Sequence, residues 1–118
     1  MVMNKGVFVE AYLYLFIAIA GEVIGTSALK ASYGMSKLWP SLIVIIGYSV
    51  TFWSLSISLK TLPVGTVYAI WSGLGIVSIF MIGVYFYHEE FTLLHLLGMC
   101  LIITGIVLLM MLASPIKD

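Results

Sequence analysis

One carboxylate stands where a carboxylate is expensive. Glu22 lies between the apolar stretches 11–20 and 23–29, about two helical turns or more from either end of that run. A charged side chain near the centre of a bilayer costs about 2.5–3.5 kcal/mol on insertion scales, so such a residue faces a bundle interior or an aqueous cavity and has a task there. Holding a proton removes the charge and with it most of that cost, which makes Glu22 a candidate for proton exchange. At helical spacing from it stand Ala18 and Thr26, with Ile19 and Gly25 beside them and Gly21 adjoining. Small residues let a second helix or a ligand approach closely, and Thr26 offers a hydroxyl near the acid. The plainer alternative is a protonated Glu22 that only donates a hydrogen bond between helices. Lys30, eight positions on, reads as an end marker whose ammonium reaches the headgroups.

Aromatic residues supply the second chemical element. Trp and Tyr gather at membrane interfaces, yet Tyr48, Tyr68 and Trp71 fall inside apolar spans. Tyr68, Trp71 and Gly75 follow i, i+3, i+7 spacing, which puts two rings and a gap on one helical face. Rings near an anionic Glu22 would suit a lipophilic cation through cation–π attraction; taken alone, they suit packing equally well. The step Gly73-Leu74-Gly75 is the expected bend of that helix. Gly98, Leu101 and Gly105 form a stripe for a helix–helix contact.

The elements that must position these groups follow from composition. Of 118 residues, 63% are hydrophobic and 8% charged, a balance foreign to soluble domains. The runs 38–59, 61–87 and 91–116 contain no Asp, Glu, Lys or Arg. Each exceeds the roughly 20 residues that cross ~30 Å of hydrocarbon as a helix. With the span that holds Glu22, four helices are expected at about 11–31, 39–60, 63–87 and 92–113, within a single domain over 1–118. Short connections at 32–37, at 60–63 and around His88-Glu89-Glu90 favour antiparallel neighbours, and Pro40 and Pro63 suit first helical turns. The His88 cluster reads as solvated. Ala18-Ile19-Ala20 superficially resembles a signal-peptide cleavage site, but cleavage is not expected, because it would leave Glu22 at a new terminus. Cys100 lies in the last span and has no intrachain partner for a disulfide.

Lysines hardly bias the orientation: Lys5, Lys60 and Lys117 fall on one side, Lys30 and Lys37 on the other. That near balance is compatible with copies inserted both ways, and also with a single topology fixed by one lysine. No nucleophile–base pair, nucleotide loop or metal-ligand spacing occurs, so neither an enzyme, a cofactor, a metal nor a nucleic-acid partner is expected.

Three segments carry a resemblance. Glu22-Val23-Ile24-Gly25-Thr26 followed by Leu29-Lys30, then Leu38-Trp39-Pro40-Ser41, and the run from Pro63 to Gly75 through Tyr68-Ala69-Ile70-Trp71-Ser72 together resemble the small multidrug resistance family of EmrE-like proton-coupled exporters; 98–105 resembles its fourth-helix dimerisation segment. The resemblance covers nearly all of the chain. It implies an all-α membrane protein with four transmembrane helices, multi-pass in a bacterial inner membrane, paired as an antiparallel, dual-topology homodimer. Two copies of Glu22 would share one site where protons and cationic substrates compete, lined or supported by Tyr12, Ala18, Ile19, Thr26, Tyr48, Phe52, Tyr68 and Trp71. Within the family, Glu22 to Thr26 followed by Ala28-Leu29-Lys30 resembles exporters of quaternary ammonium and other lipophilic cations. The alternatives are a narrow-substrate transporter for guanidinium, polyamine or betaine-like compounds, and one subunit of a paired heterodimer. His88-Glu89-Glu90 departs from a family loop that often carries a basic residue, which bears on gating and on insertion.

Overall fold

In hydrocarbon an unpaired backbone N–H or C=O costs several kcal/mol, so a chain this apolar must close its backbone hydrogen bonds within each span. A computed structural model describes residues 5–112, and in it this requirement is met by four helices: α1 (Lys5–Ala31), α2 (Leu38–Ser58), α3 (Val64–Tyr87) and α4 (Leu93–Leu112). All four are long and apolar enough to cross a membrane, as a four-span membrane protein requires. The helix α1 is already formed at Lys5, ahead of the expected start near Ala11, because one glycine and two charges in the segment 5–10 are too little to break a helix. The expected ends at Ala113 and the charges Lys117 and Asp118 lie outside the described residues.

Each connection is closed by local chemistry. After α1, Tyr33, Gly34 and Met35 take left-handed backbone with φ of 50°, 71° and 63°. Ser32 anchors that turn: its hydroxyl donates to the Leu29 carbonyl at 2.7 Å and accepts from the Met35 N–H at 3.0 Å. Pro40 falls in the first turn of α2, where its missing N–H leaves no bond unmade. Pro63 is one residue outside α3, in extended backbone at the N-cap. At the other end of α3, left-handed His88 turns the chain so that the Glu89 N–H donates to the Gly83 carbonyl at 3.0 Å. Thr92 and His95 satisfy each other at the start of α4, the Thr92 N–H donating to His95 Nδ1 at 3.1 Å and the His95 N–H to Thr92 Oγ1 at 3.4 Å.

The closest packing is between α1 and α2, and glycine makes it possible. A Cβ placed on Gly47 would lie 2.7 Å from the Gly21 carbonyl oxygen and 3.0 Å from Gly25 Cα. With the backbones so near, hydroxyls bridge them: Thr51 Oγ1 donates to the Ala18 carbonyl at 2.8 Å and Ser58 Oγ to the Ala11 carbonyl at 2.6 Å. Small residues and interhelical hydrogen bonds are what hold helices together where lipid removes the hydrophobic drive. Leu15, Ile19, Leu55, Leu62, Val67, Ile70 and Ile106 form the core against this pair. The third helix packs on both α1 and α4. Ile106 is the one buried residue of α4, and its side chain is what a Cβ on Gly73 would strike, at 2.6 Å.

This interface makes a checkable claim. Gly47→Ala is expected to lower stability by about 1–3 kcal/mol, the usual consequence of overpacking, whereas Gly65→Ala, where an added Cβ meets nothing within 4 Å, leaves it unchanged or raises it. Denaturant unfolding of the two variants in the same detergent, followed by helical circular dichroism, measures the contrast; equal midpoints would remove Gly47 from the packing account.

Candidate functional site

Glu22 sits on the side of α1 that meets α3, and its contact there is backbone. Gly75 is buried opposite it, and a Cβ on Gly75 would overlap Glu22 Oε2 and lie 3.3 Å from the carboxyl carbon. Any other residue at 75 would push the acid aside. Glu22 Oε2 is itself buried and has no hydrogen-bond partner among the described residues. A buried carboxylate oxygen in an apolar bundle is at high free energy when charged, so it favours a proton or a cation that can come to it. The acid opens onto a cavity of about 350 Å³ shared with Thr26, Gly75, Ile76, Ile79, Phe80, Glu89 and Met99. That space is sufficient for a small organic ion.

The other residues singled out in the sequence fall in different places. Thr26 lines the Glu22 cavity, but its hydroxyl is hydrogen-bonded to the Tyr48 hydroxyl rather than to the acid. The Tyr48 ring lies against Gly25, where a Cβ would come within 3.2 Å of it. Ala18 and Ile19 are packed into the core, with the Ala18 carbonyl taken by Thr51; neither lines the Glu22 cavity within one chain.

The aromatic residues gather at a neighbouring cleft. Tyr68 and Trp71 meet edge to face at 5.6 Å, Phe52 and Trp71 at 6.3 Å, and Tyr48 stacks on Phe52 at 6.4 Å. Phe52, Tyr68 and Trp71 line a hollow of about 280 Å³ that does not include Glu22. Tyr68 is 63% exposed and Phe52 59%, while Trp71 Nε1 is buried without a partner among the described residues. Tyr12, packed on Phe8 at 5.2 Å, has a buried hydroxyl in the same condition.

Gly73 and Gly75 lie inside the unbroken helix α3, and their visible use is close approach, to Ile106 and to Glu22. A Cβ on Gly98 or Gly105 meets nothing within 4 Å, and Leu101 is 66% exposed, so that stripe of α4 looks away from its own chain. Among the described residues no group of three His, Cys, Asp or Glu side chains is placed to hold a metal ion.

Two partners of the site escaped the sequence reading. Gly75 was legible as a gap in an aromatic face, and its contact with the acid came only with the packing of α1 on α3. Glu89, read as part of a solvated loop, lines the Glu22 cavity and pairs with Lys30 at 3.2 Å. The two are 59 residues apart, and no short spacing could have joined them.

Comparison with known proteins places this geometry. The sequence model of the Small Multidrug Resistance protein family matches residues 10–102. The quaternary ammonium compound-resistance protein QacE of Escherichia coli is 49% identical over 105 residues, which cover 89% of this chain and 96% of that protein. QacG of a Staphylococcus species, also named a quaternary ammonium compound-resistance protein, is 46% identical over 83% of this chain and 92% of its own. The multidrug transporter EmrE of Escherichia coli is 43% identical over 86% and 93% respectively. With the family pattern spanning α1 to α4, and relatives matched over most of both lengths, the chain belongs to the small multidrug resistance family.

Proposed function

We propose that this chain is a proton-coupled antiporter that exports lipophilic and quaternary ammonium cations across a bacterial inner membrane, with Glu22 exchanging protons for substrate. The observation that carries the reading is the Glu22 carboxylate: buried at Oε2, unpaired among the described residues, and open to a cavity. A neutral, protonated Glu22 is compatible with apolar surroundings; a charged one needs a counter-ion, and a hydrophobic organic cation can bring its charge there without a hydration shell to strip. Proton and cation therefore exclude each other at one group. If the site faces the two sides of the membrane in turn, a proton gradient pulls cations outward. The names of the relatives support the substrate class, since QacE and QacG are called quaternary ammonium compound-resistance proteins and EmrE a multidrug transporter.

The working unit in this reading is an antiparallel, dual-topology homodimer. The outward stripe of Gly98, Leu101 and Gly105 supplies a face for a second copy. The exposed rings of Phe52 and Tyr68 beside Trp71 supply aromatic surface that a facing copy would turn toward a shared site with two copies of Glu22.

Competition at one carboxylate fixes the sign of the pH dependence. Cation affinity rises with pH through the titration of Glu22, by up to about tenfold per pH unit per carboxylate, and each binding event releases protons. Adding tetraphenylphosphonium to weakly buffered, purified protein in detergent is expected to acidify the solution. Glu22→Gln, which keeps the size and hydrogen bonding of the side chain, is expected to abolish both the acidification and gradient-driven uptake. Proton release that persists in Glu22→Gln would overturn the reading.

Gly75→Ala probes the geometry separately. The added methyl displaces the carboxylate from α3, and tetraphenylphosphonium affinity is expected to fall about tenfold, or ~1.4 kcal/mol, with helical content unchanged. Unaltered affinity in titration calorimetry would mean that the Glu22–Gly75 approach is incidental.

A further inference from the structure

The cavity that holds Glu22 has a second carboxylate at its outer end. Glu89 lines it, and also lines the adjoining cleft with Thr26, Ser27, Lys30, Gly83 and Tyr87. On α1, Glu22, Thr26 and Lys30 are four residues apart in turn, so they form one stripe, about 12 Å long at 1.5 Å per residue. Two acids thus mark the ends of a continuous path along the seam of α1 and α3.

The local backbone holds Glu89 there. His88 takes left-handed backbone with φ of 56°, and the Glu89 N–H donates to the Gly83 carbonyl at 3.0 Å, so the chain folds back over the last turn of α3. Gly83 is buried, and a Cβ on it would overlap Glu89 Oε1. Glycine thus lets this carboxylate rest on α3 just as Gly75 does for Glu22, two helical turns away. Glu90, the next residue, is simply exposed.

Glu89 already holds a cation. Lys30 Nζ donates to Glu89 Oε2 at 3.2 Å and stands 5.1 Å from the centroid of the Tyr87 ring. That ring is fixed by its hydroxyl, which donates to the Ser27 carbonyl at 3.0 Å. An anion and an aromatic face around one positive group make the environment that an organic cation requires. The Lys30 and Glu89 side chains are 56% and 48% exposed, so water screens the pair and opening it is easy. Lys30 has a stem long enough to carry its ammonium to the headgroups instead.

Resting on the antiport reading above, we propose that Glu89 and the face of Tyr87 form an outer cation subsite, filled at rest by Lys30, where an incoming quaternary ammonium replaces the lysine before passing along Thr26 to Glu22. Lys30 is then an internal competitor. It sets a threshold that favours cations able to give up water and lie on a ring.

The test is tetraphenylphosphonium binding to purified protein, together with its proton-driven uptake into liposomes. Glu89→Gln is expected to raise Kd and KM three- to tenfold with kcat within twofold, and Lys30→Met to lower both constants by a similar factor. The exchange of the two residues, Lys30→Glu with Glu89→Lys, rebuilds the ion pair but removes the carboxylate from its seat on α3 at Gly83 and puts an ammonium there in its place. Its thermal midpoint is expected to match the native protein while KM rises at least tenfold. Native KM in the exchanged protein, or unchanged constants in Glu89→Gln, would overturn the subsite and leave the antiport reading standing. If the exchanged protein does not fold, the two single variants decide. Native protein that binds tetraphenylphosphonium but shows no driven uptake would sink antiport alone, with the Kd ratios still reading the subsite; no binding at all would end both.

Discussion

A carboxylate inside a membrane-spanning helix has two routes to low free energy, a proton or a cation, and the architecture around Glu22 keeps both open. Its Oε2 is buried and lies against the backbone of α3 at Gly75, with no hydrogen-bond partner among the described residues. A fixed arginine or lysine beside it would have settled the charge permanently and produced a structural ion pair. A full set of donors would have made the anion comfortable and removed its need for a ligand. What lies against the acid is glycine and a largely apolar cavity, whose polar members Thr26 and Glu89 are both bonded elsewhere, so its charge is left unsettled.

Keeping such a group in place requires that α1 be held firmly by something other than the acid. The α1–α2 seam does this with Gly21, Gly25 and Gly47 in near backbone contact and with Thr51 and Ser58 bridging to α1 carbonyls. On the face of α1 toward α2, the Ala11 and Ala18 carbonyls find hydroxyl partners. The side toward α3 carries Glu22 and is left to the cavity, with Thr26 at the rim between the two. Packing and chemistry are thus separated on two sides of one helix, and its residues at intervals of three and four determine which side each serves.

The four helices were legible because each apolar run exceeds the length of a membrane crossing; the bounds between 31 and 93 moved by no more than two residues, while α1 reaches back past the charged Glu10 to Lys5. Glu22 was legible by contrast with its neighbours. What the sequence could not convey was who faces it. Gly73 and Gly75 share one short motif, yet one receives Ile106 and the other the carboxylate, a difference set by the rotation of α3 against α1 and α4. Thr26 follows Glu22 at helical spacing but turns its hydroxyl to Tyr48, because the rim of α1 is shared with α2. Lys30 and Glu89 carried opposite charges at the ends of two different spans; only the return of the chain at His88 brings them together.

Exposure has a different meaning here from its meaning in water, and this decides which surfaces carry information. Most of α4 is apolar and exposed, which in lipid is stable as it stands, because acyl chains are as apolar as leucine. Such a face is therefore no sign of an unmet need. The polar tips are a stricter guide. The Trp71 indole N–H and the Tyr12 hydroxyl are buried without partners among the described residues, and the rings of Phe52 and Tyr68 beside Trp71 turn outward next to a hollow. Unmet hydrogen-bonding capacity cannot be offset by hydrocarbon. The demand for further polar or cationic company therefore concentrates on the aromatic side of the bundle and on Glu22, while the apolar face of α4 is stable against lipid or another helix alike.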